Sequence, residues 1–224
     1  MTRWKEQYCG GALIAPQWVL TAAHCVRKNG RRRRLIVRVG EHNLSYSEGS
    51  ELDVKIAADY AHHDFDIDTI DSDIALIKLR TPVDPGPYVS FACLPQAKDV
   101  LAPNTLCYAV GWGKVRDIHI FGTDVLREAR VPLIEDRECR QAFDYQITAN
   151  QMCAGFRRGG VDTCAGDSGG PLMCSITDGN GVLRWNVYGV TSFGEGCGDR
   201  GKYGIYTRVT NFSNWIRETM RKYQ

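Results

Sequence analysis

No run of apolar residues in this chain comes near the roughly 18 that a helix needs to cross a bilayer, so no membrane span is expected. No secretory leader, with its charged start, short apolar stretch and small-residue cleavage site, opens the chain. An excess of charge of one sign is lacking as well: 28 Lys plus Arg stand against 26 Asp plus Glu, a formal net charge of +2. That balance gives no electrostatic ground for a nucleic-acid partner. No zinc-type Cys-x-x-Cys spacing occurs, and no internal repeat of fixed period is found. The one biased stretch is a basic block, Arg27, Lys28, Arg31, Arg32, Arg33 and Arg34.

Cysteine, by contrast, is plentiful, with nine in 224 residues. A reducing cytosol would not maintain a disulfide framework, so the chain is expected in an oxidising compartment, secreted or as the extracellular part of a cell-surface protein. The length suits one large or two small cores, and the 43% hydrophobic and 24% charged content is ordinary for a globular protein.

Strand candidates are short and separated by turn signals. In the first half they fall at 11–14, 18–21, 35–39, the alternating Leu52, Val54 and Ile56, and 74–79; in the second at 106–112, 126–132, 171–175, 182–190 and 204–209. Residues 178–181, Asp-Gly-Asn-Gly, read as a turn, and 94–104, with Pro95 and Pro103, as a linker. Helical spacing appears only at Phe212, Trp215, Ile216, Met220 and Tyr223, with Asn211 or Ser213 as a cap. The pattern is all-β in two halves with a C-terminal helix.

Three blocks carry chemistry. Residues 161–172, Val-Asp-Thr-Cys-Ala-Gly-Asp-Ser-Gly-Gly-Pro-Leu, set Ser168 among glycines, where a tight turn and a close approach are tolerated. Upstream stand Thr-Ala-Ala-His24-Cys25 and Asp71-Ser-Asp73-Ile-Ala-Leu. A serine hydroxyl is a poor nucleophile at neutral pH and needs a base, and the base needs a buried carboxylate to fix its tautomer and stabilise its cation. Histidine, aspartate and serine in this order, with cysteines beside the first and last, resemble the chymotrypsin-fold serine proteases of the trypsin branch over nearly the whole chain.

The resemblance implies two antiparallel six-stranded β-barrels with a cleft between them and a C-terminal helix on the first: a protease domain over 1–224, with 1–102, 103–210 and 211–224 as first barrel, second barrel and helix. It implies His24, Asp73 and Ser168 as catalytic residues and the N–H groups of Gly166 and Ser168 as oxyanion hole. Ser192 would hydrogen-bond the buried Asp73. Asp162 would lie at the floor of a specificity pocket kept open by Gly194 and Gly204, calling for Arg or Lys. The implied disulfides are Cys9–Cys25, Cys107–Cys174, Cys139–Cys153 and Cys164–Cys197. Cys93 is left over as a candidate link to an upstream light chain or pro-segment. Protein substrates and protein protease inhibitors are the implied partners.

No cofactor is needed for catalysis. Glu41, Asn43, Tyr46, Glu48 and Glu51 resemble a calcium loop of this family, two of the five serving through carbonyls and the carboxylates through hard oxygens. Tyr203 stands where some members bind sodium. Asn43 and Asn211 open glycosylation sequons. The arginines Arg31 to Arg34 are expected to form a disordered, solvated loop and a candidate polyanion site. The chain starts at Met1-Thr-Arg-Trp, beyond the family's activation terminus, whose amino group pairs with the aspartate matched here by Asp167. The first barrel is therefore expected to lack a strand, and the chain to be an inactive fragment of a longer zymogen. The reading is a trypsin-like endopeptidase cleaving after Arg or Lys. Its alternative is a catalytically silent homologue that binds through the basic loop.

Overall fold

The computed structural model describes residues 7–28, 31–32, 35–114, 121–160, 162–177 and 181–224. In chain order the elements of the first half are β1 (Ala12–Ala15), β2 (Trp18–Thr21), α1 (Ala23–Val26), β3 (Arg27–Lys28), β4 (Arg31–Arg32), β5 (Ile36–Val39), β6 (Leu52–Ala61) and β7 (Ala75–Leu79). The second half holds β8 (Leu106–Gly111), β9 (Arg127–Pro132), α2 (Asp136–Gln141), β10 (Gln151–Ala154), β11 (Pro171–Thr177), β12 (Leu183–Phe193), β13 (Gly204–Arg208) and α3 (Val209–Lys222).

Two curled antiparallel sheets result, ordered β1-β2-β7-β6-β5 and β10-β13-β12-β11-β8-β9. The fold is all-β with a C-terminal helix, as expected. The second sheet has six strands and the first, among the described residues, five. Inside the first sheet, a cavity of about 400 Å³ is lined by Gly11 and Leu13 on one side and Leu35, Val37 and Val39 on the other. Gln7, Gly10 and Cys25 also line it, so it reaches the back of the Ser168 loop, but Asp162 is not among its lining residues.

Short apolar runs become central strands because both faces are covered. β2 is buried along its whole length, and Leu76 and Leu79 of β7 are fully buried. Val19, Ala75, Ile77 and Leu79 fill the first sheet, and Cys107, Val131, Leu172 and Tyr206 fill the second. A third cluster joins them: Leu20, Ile74 and Leu76 meet Val187 and Val190 of the second sheet and Val209, Phe212 and Ile216 of α3. The helix thus seals the seam between the halves.

Several expectations need correcting. Helix α3 begins at Val209 with Arg208 as its cap and no side-chain cap bond, so Asn211 and Ser213 lie inside it. They serve tertiary structure instead: Ser213 Oγ donates to Pro95 O at 2.9 Å, and Asn211 Nδ2 to Ala149 O at 3.0 Å. Helix α2 and strand β10 escaped the reading. Asp-Arg-Glu-Cys-Arg-Gln has no apolar stripe, and Gln-Met-Cys-Ala is too short to show a period, but the Cys139–Cys153 disulfide joins them. Part of the basic block is ordered rather than a loose loop, since Arg27 pairs with Arg32 and Lys28 with Arg31 across a two-stranded ribbon. Within it the Arg27 charge is answered, with Nη1 bonded to Asp59. Arg33, Arg34, Val161, residues 178–180 of the expected turn and the first six residues lie outside the described set.

Candidate active site

His24 sits on the single turn α1, tied down by the Cys9–Cys25 disulfide. Asp73 sits immediately before Ile74 and β7 and is 0% exposed. A buried carboxylate requires donors, and four reach this residue. His24 N donates to Oδ1 at 2.9 Å, while His24 Nδ1 and Ser192 Oγ approach Oδ2 at 2.7 and 2.5 Å. Thr207 Oγ1 donates to the Asp73 carbonyl at 2.7 Å. With Oδ2 accepting the Nδ1 proton, the Nε2 lone pair of His24 is left to act as base. That ring nitrogen lies 3.7 Å from Cys25 Sγ.

Ser168 lies on the loop between the Cys164–Cys197 disulfide and β11. Its carbonyl accepts Gly10 N at 2.8 Å and lies 3.6 Å from Cys25 Sγ, which sets it beside the His24 turn. Gly169 allows this approach. It has φ +79°, and a Cβ there would come within 2.3 Å of Thr21 Oγ1 and 2.7 Å of Gly10 O. No direct hydrogen bond joins Ser168 Oγ to His24 Nε2 among the described residues. Such contacts often tighten only once substrate is bound.

The backbone around Ser168 is selective in what it leaves open. The N–H groups of Asp167, Gly169 and Gly170 donate to Cys164 O, Thr191 O and Asp167 O at 2.9, 2.7 and 2.8 Å. Those of Gly166 and Ser168 meet no acceptor among the described residues. Two free donors flanking a bonded one, on a loop held at both ends, are what a developing oxyanion requires.

Asp167 is buried, and burial raises its carboxyl, opposed by N–H donors from Cys164 at 2.9 Å and Gly113 at 2.7 Å. Asp162 is pushed up to about 6, mainly by burial, with donation from Thr163 N at 2.7 Å and Gly198 N at 3.3 Å working the other way. Side chains are excluded on its Gly204 side, where a Cβ would lie 2.6 Å from Asp162 Oδ1. A Cβ on Gly194 would come no closer than 3.9 Å to its neighbours.

The three carboxylates Glu41, Glu48 and Glu51 bring one oxygen each within 4.8 Å of one another. Glu51 is pulled down to about 2, chiefly by the Glu48 N–H at 2.5 Å, with Ser47 and Gly49 adding to it. Asn43 O accepts Tyr46 N at 3.4 Å, so both residues belong to the same loop turn. Asn43 Oδ1 also accepts Ser45 N at 3.0 Å. Tyr203 is buried and its hydroxyl donates to Glu138 at 2.6 Å. The four expected disulfides are present, and Cys93 is a free thiol, half-buried.

Sequence reasoning missed Thr207, Gly198 and Glu138, whose roles depend on contacts between segments far apart in the chain. Nothing local to them carries a signal.

A sequence model of the Trypsin family matches residues 1–216. The chain is 39% identical to "Trypsin" of Sus scrofa over 215 residues, 96% of this chain and 86% of that protein. It is 41% identical to "Serine protease 1" of Canis lupus familiaris over 213 residues, 95% of this chain and 80% of the relative. "Trypsin-3" of Salmo salar is 40% identical, covering 95% and 83%. His24, its buried partner Asp73 and the open N–H groups beside Ser168 lie within the matched residues, and the chain belongs to the trypsin family of serine proteases.

Proposed function

We propose that the protein is an extracellular endopeptidase that cleaves polypeptides after Arg or Lys by acyl transfer. The observation that carries the specificity is the Asp162 carboxylate, half-buried and met among the described residues by neutral donors, the N–H groups of Thr163 and Gly198 and the Thr163 side chain. A cationic side chain completes its partners, whereas an apolar one leaves the charge unpaired. Ser168 Oγ attacks the scissile carbonyl as its proton passes to His24 Nε2. The oxyanion is received by Gly166 N–H and Ser168 N–H, and the imidazolium, held by Asp73, returns the proton to the leaving amine. Water repeats the sequence on the acyl-enzyme. The intact His24–Asp73 pair speaks against the silent-binder alternative. Amide hydrolysis of matched arginyl, lysyl and phenylalanyl peptides tests the reading, and faster turnover of the phenylalanyl one overturns it.

We extend the reading to activation. Asp167 is a buried carboxylate whose charge, among the described residues, is answered by backbone amides, so an amino terminus delivered to it would gain a strong ion pair and stiffen the Gly166–Ser168 backbone.

Calcium fits the 41–51 loop as a structural ion. Glu41, Glu48 and Glu51 supply convergent hard oxygens, and relief of their mutual repulsion favours a divalent cation. The carbonyls of Asn43 and Tyr46 are the remaining ligands of this proposal. Millimolar calcium is expected to raise the thermal midpoint relative to chelator, by a stabilisation of about 2.7 kcal/mol at a hundredfold excess over Kd. The Glu48→Gln/Glu51→Gln variant is expected to lose that rise. Equal midpoints in calcium and chelator for the unmodified protein would remove the assignment.

Cys93 forms a parallel bridge with Asn186, its N–H bonded to Trp185 O at 3.0 Å. A thiol held at a strand edge beside the exposed Leu183 and Trp185 suits an interchain disulfide to an upstream segment. Electrophoresis of the cleaved, longer protein is expected to show the two parts joined until reductant is added. Cys93→Ser is expected to separate them without it.

A further inference from the structure

The segment leading into Asp73 is built in a way that the triad alone does not explain. Ile70 and Ser72, neither of them glycine, both have φ +53°. Left-handed backbone at two such residues persists only where the surroundings impose it. Between them stands Asp71, and its carboxylate reaches across to the loop that precedes β10 in the second half. Thr148 Oγ1 donates to Oδ1, and Asn150 Nδ2 donates to Oδ2 at 3.1 Å. Ser72 Oγ also donates to Oδ2, at 3.1 Å, and receives Asn150 Nδ2 at 3.4 Å. Gln151 Nε2 donates to Ile70 O at 3.2 Å.

The other side of this contact is itself braced. Thr148 Oγ1 accepts Asn150 N at 3.2 Å, Thr148 N donates to Gln151 Oε1 at 2.9 Å, and Asn150 Oδ1 accepts Asn211 Nδ2 of α3 at 3.1 Å. Strand β10 follows directly and pairs with β13, whose Thr207 holds the Asp73 carbonyl. All the donors on the Asp71 carboxylate among the described residues are neutral, so its placement depends on acceptor geometry and not on an ion pair.

We propose that Asp71 is a positioning residue for catalysis: its carboxylate, gripped by Thr148 and Asn150 of the second half, holds the left-handed Ile70–Ser72 backbone and so fixes the Asp73 carboxylate on His24 Nδ1. The proposal rests on the role given to Asp73 above. The clamp works through orientation, since Asp71 touches neither His24 nor Ser168. Loosening it leaves the substrate pocket alone but lets Asp73 wander from the 2.7 Å contact, and small misplacements in a triad are costly in rate.

The test is a swap. Asp71→Asn keeps the shape but turns one acceptor into an amide that faces the Asn150 amide. Asp71→Asn/Asn150→Asp restores a donor facing an acceptor while keeping the acceptor for Asn211. The single variant is expected to lower kcat on an arginyl amide about tenfold or more with KM within about twofold, and the swap to recover most of it. Thr148→Val, which removes the other donor, is expected to lower kcat in the same direction and serves if Asp71→Asn fails to fold. The downfield His24 Nδ1–H proton resonance is expected to weaken in the single variants and return in the swap. Unchanged kcat and an unchanged resonance in Asp71→Asn or Thr148→Val, even with lowered thermal stability, overturn the proposal, as does a swap that recovers nothing. Loss of turnover on Ser168→Ala checks the underlying catalytic reading separately. The kinetics are read on the longer protein after activation cleavage; if that form has no turnover, the catalytic reading fails and the Nδ1–H resonance alone decides the clamp.

Discussion

In the activated protein, Ser168→Ala is expected to lower kcat on an arginyl amide by about a million-fold, and adding His24→Ala is expected to lower it little further. The two residues act as one unit: without the serine oxygen there is no proton for Nε2 to take, and without Nε2 the hydroxyl stays a poor nucleophile. Residual turnover should come from the open N–H groups of Gly166 and Ser168 together with substrate binding, which Ser168→Ala leaves in place because the donor is backbone. KM should therefore change little. Steady-state kinetics on the single and double variants would check this. A double variant slower than either single one by the product of their effects would show that the two do not share one chemical step.

Asp162→Ser is expected to lower the arginyl-to-phenylalanyl ratio of kcat/KM by about four powers of ten, since a site built for a polar partner rejects analogues far more strongly than an apolar pocket does. The present carboxylate also sets a pH dependence. Burial lifts Asp162 to about 6, so folding favours its protonated form. The associated stability is full below the unfolded carboxylate range and is lost as pH rises through about 6. Near neutral pH the site is thus ionised, with no cationic partner among the described residues. A benzamidine-type cation should bind with constant affinity above that range and ever more weakly as pH falls through it. Inhibition constants measured across pH 5 to 8 should show this slope, and Asp162→Asn should flatten it. An equal slope in both proteins would place the titration elsewhere.

Much of the fold was legible because its strands are local apolar runs. Residues 18–21 and 74–79 carry no alternation because both of their faces are buried, and they became β2 and the start and body of β7. The helix boundary misled for a physical reason. Ser213 and Asn211 have the chemistry of caps, yet their hydrogen bonds go to Pro95 O and Ala149 O on other segments, a choice made by packing rather than by propensity.

By itself the chain determined the residue types able to do chemistry, the oxidising setting implied by nine cysteines, and the alternation of short strands with turns, because each of these is written in neighbours a few positions apart. Only the tertiary structure decided how the groups are tuned. Asp73 is held by Ser192 and Thr207, which lie 119 and 134 residues further along. Asp162 is raised by its burial, and the Gly166 and Ser168 donors are left open by a loop pinned from Gly10 and Thr191. Desolvation and hydrogen-bond geometry depend on everything within a few ångströms in space, and the sheets bring those atoms from opposite ends of the chain.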